Sequence, residues 1–159
     1  MRRTALALIV LSFIAGAALA VDPGHAQGEM TIDGNKVALN YAYAVGHQKN
    51  EVTNRKDDTR IVLTDKPLPD GVNLADIDYA FPDGTYGMVV SVSRDDKISH
   101  IIVQHAKGMY DGGFFEADPN YTFRRTKVDQ GIAGSLSSKA VKTNTMTFSF
   151  DVDFVALTK

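Results

Sequence analysis

The clearest alternation of apolar and polar positions lies near the end of the chain, in residues 145–158. Phe148, Phe150, Val152, Phe154 and Ala156 fall on even positions, and Thr147, Ser149, Asp151 and Asp153 on odd ones. A period of two sorts side chains onto the two faces of a β-strand, whereas a helix would scatter them. The apolar face then needs a second layer to cover it. Each large side chain buried there contributes about 1.5–3 kcal/mol relative to exposure.

The same reading extends upstream. Around Asp33-Gly34-Asn35-Lys36 the pattern predicts a hairpin with Gly34-Asn35 in a II′-type turn. Pairing Asp33 with Lys36 sets Ile32 opposite Val37 and Met30 opposite Leu39. That face continues through Tyr41, Tyr43 and Val45, and Ala38, Asn40, Ala42 and Ala44 make the other. Residues 46–59 are polar and aperiodic and read as an exposed loop with residues 55–58 at its tip. Ile61-Val62-Leu63-Thr64 is a short buried strand, ended by Pro67 and Pro69. Leu74, Ile77 and Phe81 then recur at i, i+3 and i+7. With Asn73 as N-cap and Pro82 as stop, they predict one short helix over residues 74–80 that plugs an end of the sheets.

A second hairpin runs from Tyr86 to His105 about a turn at Asp95-Asp96. It sets Val92 opposite Ser99, Val90 opposite Ile101, Met88 opposite Val103 and Tyr86 opposite His105. Val89, Ser91, His100 and Ile102 share the reverse face. Residues 106–120 contain Gly108, Gly112, Gly113 and Pro119 and read as a long aromatic loop. Residues 121–130 read as a polar strand, and 131–138 as a short one in which Gly131 and Gly134 signal a bulge or close packing. The fold class that follows is all-β: a two-layer antiparallel β-sandwich of seven to nine strands with one short helix. A small closed β-barrel of lipocalin type is the alternative.

The first residues change the compartment. Arg2-Arg3, the apolar run from Ala5 through Ile14 and the small residues at 15–18 have the layout of a secretory signal peptide. The run turns polar at Asp22-Pro23-Gly24, too soon for a spanning helix of about 20 apolar residues. Small-x-small cleavage sites end at Ala20 and at Ala26, and the second is preferred, giving a signal over residues 1–26 and a single domain over 27–159. The chain has no cysteine, so neither a lipidated cysteine nor a disulfide is available to the exported protein. Removing residues 1–26 takes away Arg2, Arg3 and Asp22, leaving the chain one unit more negative than the −2 of the full sequence. With no basic patch, a nucleic-acid partner is not expected, nor a membrane anchor after cleavage. A periplasmic or secreted location follows, with an unidentified protein or small molecule as partner.

Several of these features occur together elsewhere. The signal layout, the early Gly-Asn hairpin leading into Ala42-Tyr43-Ala44, the run Leu63-Thr64-Asp65-Lys66-Pro67-Leu68, a mid-chain hairpin ending in His105, and Gly134-Ser135-Leu136 before an aromatic terminal strand resemble a group of small secreted bacterial proteins of unknown activity. The resemblance implies a single all-β domain and brings no catalytic residue or cofactor.

Candidate chemistry is sparse. Of the histidines, His25 leaves with the signal, His47 lies in a polar loop, and His100 and His105 are an odd number of residues apart on one strand and face opposite ways. No metal site and no cofactor is expected. Asp76/Asp78 and Asp151/Asp153 lack the spacing of a calcium loop. There is no Gly-x-Ser-x-Gly elbow, and Asn120-Tyr121-Thr122 is a chance sequon in a bacterial-type export protein. No catalytic residue is assigned. Contact residues are sought instead at the open end of the second hairpin: Tyr86, His105, Tyr110, Asp111, Phe114 and Phe115. Phe114 or Phe115 is expected to pack inward beside Tyr86 and His105, with Tyr110 nearer the surface. The leading function is an exported non-enzymatic binding or structural module. The alternative is a small hydrolase or isomerase in which His105 moves a proton with Tyr86 and Asp111.

Overall fold

The computed structural model describes residues 21–50, 55–75, 77, 81–106, 108–113 and 118–158. The chain is all-β. Its strands are β1 (His25–Ile32), β2 (Asn35–Asn50), β3 (Arg55–Thr64), β4 (Gly87–Val92), β5 (Ile98–His105), β6 (Gly108–Gly113), β7 (Tyr121–Thr126), β8 (Ile132–Ser138), β9 (Val141–Lys142) and β10 (Thr147–Thr158). They form one curled sheet, a half-barrel, in the order β6-β5-β4-β3-β2-β1-β10-β8-β7, with β9 paired to the start of β10. Successive neighbours in that order are all antiparallel.

β10 behaves as its alternation requires. Phe148, Phe150, Val152, Phe154 and Ala156 are all buried on the concave side, the first four opposite Ile32, Met30, Gly28 and Ala26 of β1. Leu39, Ile61, Leu63, Met88, Val90, Ile101, Val103, Phe123, Ile132 and Leu136 complete this inner core. The two edges of the sheet are bridged by side chains. Tyr110 of β6 packs at a tilt against Phe148, 5.0 Å between ring centroids, and hydrogen-bonds Tyr121 of β7. Arg125 of β7 meets Asp96, in the β4–β5 turn, at 2.7 Å.

The first hairpin forms with a different turn. Asp33 and Gly34 both have positive φ (48° and 81°), a I′-type turn, so Ile32 pairs with Asn35 and Met30 with Val37. The β1–β2 register is irregular between His25 and Gly28, and β2 changes face there. Leu39 and then Ala42 and Ala44 point into the core, while Tyr43 and Val45 pack on the convex side. Strict alternation had put the tyrosines with Leu39; a bulged register cancels that inference. Past the end of β1, β10 and β2 meet directly and in parallel, with Leu157 opposite Tyr43.

The convex side carries a second cluster. Val62, Val89 and Ile102 of β3, β4 and β5 are covered by Leu74, Ile77 and Phe81, with Tyr43, Val45, Leu68 and Val72 around them. The segment between β3 and β4 is thus a roof on the sheet rather than a plug at its end. Its two ends are tied together by Asp65 N–H to the Tyr86 carbonyl (2.9 Å) and Tyr86 N–H to Asp65 Oδ1 (2.8 Å). Leu68 N–H donates to the Tyr43 hydroxyl at 2.9 Å and Phe81 N–H to Gln104 Oε1 at 3.2 Å. Asn73 Oδ1 accepts Ala75 N–H as a cap does, but the expected helix falls partly on residues 76 and 78–80, outside the described residues, and no α-helix occurs among the described ones.

Two stretches read as loops are strand. β2 and β3 extend to Asn50 and from Arg55, and β6 occupies Gly108–Gly113. The second hairpin has the expected register from Met88–Val103 to Ser91–His100. It then shifts by one residue, so that Val92 meets Ile98 and Ser99 is the extra residue.

Candidate functional site

The residues proposed from sequence separate into two places. Tyr86 and His105 do lie side by side, ring centroids 4.8 Å apart, both half-buried at the end of β4–β5. Asp111 is not with them. It stands opposite Ile102, whose side chain belongs to the convex cluster, while His105 shares the alternation of Val103 and Ile101. Its carboxylate instead accepts the Nε2–H of His100 at 2.6 Å. Tyr110 is not a surface residue: it is half-buried against the inner core, because it pairs with Val103 on the concave side. Phe114 and Phe115 lie outside the described residues.

His100 belongs to a polar row that crosses three strands on the convex face and is joined to β6 through the exposed Asp111. Arg60, Ser91 and His100 are successive cross-strand partners in β3, β4 and β5, all under 10% exposed. Arg60 donates through Nη1 to the carbonyl of Ala75 in the roof. One step along, the hydroxyl of the bulged Ser99 donates to Asp58 Oδ2. Burying polar groups is tolerable when they are hydrogen-bonded, and this row bonds internally or to the roof. Asp58 Oδ1 is buried with no hydrogen-bond partner among the described residues. The Ser99 hydroxyl is directed to Asp58 and the His100 imidazole to Asp111, so serine, histidine and aspartate are not in relay. The row joins four strands and the roof.

Two ionisable groups nearer the edges are perturbed. The Ser93 hydroxyl and Lys97 hold the Asp95 carboxyl well below the usual carboxylate range, and burial together with Tyr110 pushes the Tyr121 phenol well above the usual tyrosine range. Both serve local structure: a hairpin turn and the bridge between the sheet edges.

On the other half of the convex face lies a groove of about 500 Å³ over β7, β8 and β10. The strand pairing explains its walls. Arg124, Ser135 and Asp153 form one cross-strand row and Thr126, Ala133 and Val155 the next, facing away from the Phe123, Leu136 and Phe154 side. Arg124 and Asp153 are therefore two strand spacings apart, about 10 Å, with Ser135 between them. Val21, Val128 and Val155, each half-buried, add apolar surface. The sequence hinted at the first site, since Ser91 and His100 fall on one hairpin face. The groove carries no local sequence signal because its residues come from three strands, the β7–β8 connection and the segment ahead of β1. Comparison with protein-family models, curated proteins and solved structures finds no match to this chain.

Proposed function

We propose that the chain is an exported, non-enzymatic binding module whose ligand occupies the groove over β7, β8 and β10. The observation that carries this reading is where the acid–base groups are spent. His100 is bonded to Asp111 and Ser99 to Asp58, two separate pairs in which His100, Ser99 and Asp58 are buried, while the groove presents Arg124, Ser135 and Asp153 beside half-buried valines. A concave site with apolar walls and a few polar groups is suited to holding a small molecule. Export rests on the Arg2-Arg3, apolar and small-residue layout of the first residues and agrees with a chain free of cysteine. In this reading the curled sheet works as an incomplete barrel, its edges joined by Tyr110–Tyr121 and Arg125–Asp96 rather than by a backbone ladder. The hydrolase or isomerase reading loses its third member, because Asp111 faces away from His105.

The test is a small-molecule mixture screened by amide shifts in 15N-labelled protein. Hits are expected to move resonances of β7, β8 and β10. Hits confined to the surroundings of Tyr86 and His105, accompanied by turnover of the ligand, would overturn the proposal in favour of the enzyme.

A further inference from the structure

The strand that follows the signal layout distinguishes the two cleavage sites. Gly24 N–H donates to the Val155 carbonyl at 2.7 Å, and Ala42 N–H donates to the Gly24 carbonyl at 3.0 Å. His25 packs its ring on Tyr41 at 5.7 Å, and Ala26 is buried opposite Phe154. Cleavage after Ala26 would strip these residues from the wedge that β1 drives between β2 and β10, leaving their backbone partners unpaired in the middle of the sheet. Cleavage after Ala20 leaves every described residue of the ladder in place. It also has a chemical consequence, because the first residue it leaves is Val21, and Val21 lines the groove.

We infer that processing after Ala20 completes the groove as a site for a small organic carboxylate bearing an apolar chain. The inference rests on the groove reading above and names its ligand. Before processing, the charged side chains in the wall are Arg124 and Asp153, which offset each other. Hydrolysis of the Ala20–Val21 peptide bond adds an α-amino group, with an ordinary pKa of about 7.7–8.0, so that it is mostly cationic at neutral pH. The groove then carries two cations to one anion. Asp22, one residue along, is exposed and does not line the groove. A carboxylate meets the Arg124 guanidinium in its fork geometry, with the Ser135 hydroxyl as a further donor, and an apolar chain lies along Val21, Val128 and Val155.

The experiment begins with the chain exported from a bacterial host and purified from its periplasm, where intact mass reads the N-terminus. A start at Val21 is expected; a start at Gln27 overturns the inference. That protein is then titrated with octanoate and, separately, with octylammonium, following amide shifts. Octanoate is expected to move the amides of Arg124, Ser135 and Val155 and to bind more tightly than octylammonium. A chain carrying Gly-Ser-Gly ahead of Val21, which moves the ammonium away, should bind octanoate roughly two- to fivefold more weakly. R124Q, on an exposed position, should bind it roughly tenfold or more weakly. Equal binding of the two probes at the groove overturns the carboxylate assignment and leaves the groove standing. Shifts from neither probe overturn both.

Discussion

Over β3, β4 and β5 the convex face of the sheet is roofed, and over β10, β8 and β7 the described residues leave it largely bare, although both halves enclose the same inner core. The burial patterns record the difference. Every residue of β4 is buried, and β5 is buried through its first six, whereas β10 alternates between buried and exposed along nearly its whole length. A strand covered on both faces reads as a continuous apolar run and a strand covered on one face as an alternation. Polar residues follow the same division: on the roofed half the buried Ser99 and His100 are paired with Asp58 and Asp111, while on the bare half Arg124 and Asp153 are exposed.

Substitutions that compare the two faces of one strand test this contrast most strongly. In β10, Phe154→Ala should cost about 3–5 kcal/mol and Asp151→Ala under about 0.5, because only one face is packed. In β5, Ile101→Ala and Ile102→Ala should each cost about 2–5 kcal/mol, since one faces the core and the other the roof. Urea melts give all four values, and a neutral Ile102→Ala would show that the roof is not packed. At the boundary between the halves, Gly28 leaves no room for a side chain: a Cβ there would lie 2.2 Å from the Asp151 carbonyl oxygen. Gly28→Ala should therefore cost about 1–3 kcal/mol in thermal unfolding, and an unchanged Tm would mean that β1 and β10 are less closely apposed.

A smaller effect is expected from the polar row. Ser99→Ala leaves the buried Asp58 carboxylate without its donor and should cost about 1–3 kcal/mol in a urea melt. Ser149→Ala, on β10, is the control and should stay within about 0.5 kcal/mol. The smallest effect is one of pH. Tyr121 has its folded pKa raised above the unfolded value of about 10, so its contribution is complete below that pH and is lost as pH rises beyond it. Stability should therefore fall above about pH 10, and Tyr121→Phe should flatten that part of the profile.

The bare half was the readable one. β10 alternates without interruption, and its inner face follows from parity alone. The body of the second hairpin was also readable, with Met88 opposite Val103 and Tyr86 beside His105, but its turn was not: Ser93 pairs with Lys97 around residues 94–96, and the extra residue Ser99 restores the expected register. What escaped had a physical reason in each case. β6 is half glycine and carries no alternation, so its strand character comes from pairing with β5 rather than from its own residues. The face switch in β2 needs a register irregularity that both apolar faces conceal. Leu74, Ile77 and Phe81 were correctly read as one buried set, but a set of contacts does not say which surface receives it. Asp58 lies in a stretch of charged residues that reads as solvated, and only the bulge at Ser99 brings it a partner.

The insertion of β1 between β2 and β10 has a kinetic consequence. An interior pairing of the sheet joins nearly the first described residues to nearly the last, His25 to Val155 and Ile32 to Phe148. Contacts so distant in sequence carry a large loop-closure cost and form slowly. Until β10 arrives, the early hairpin and the β3–β6 meander have each other but no centre, and the phenylalanines that fill the core are the last to be delivered. A chain built this way keeps its core open until β10 has been made.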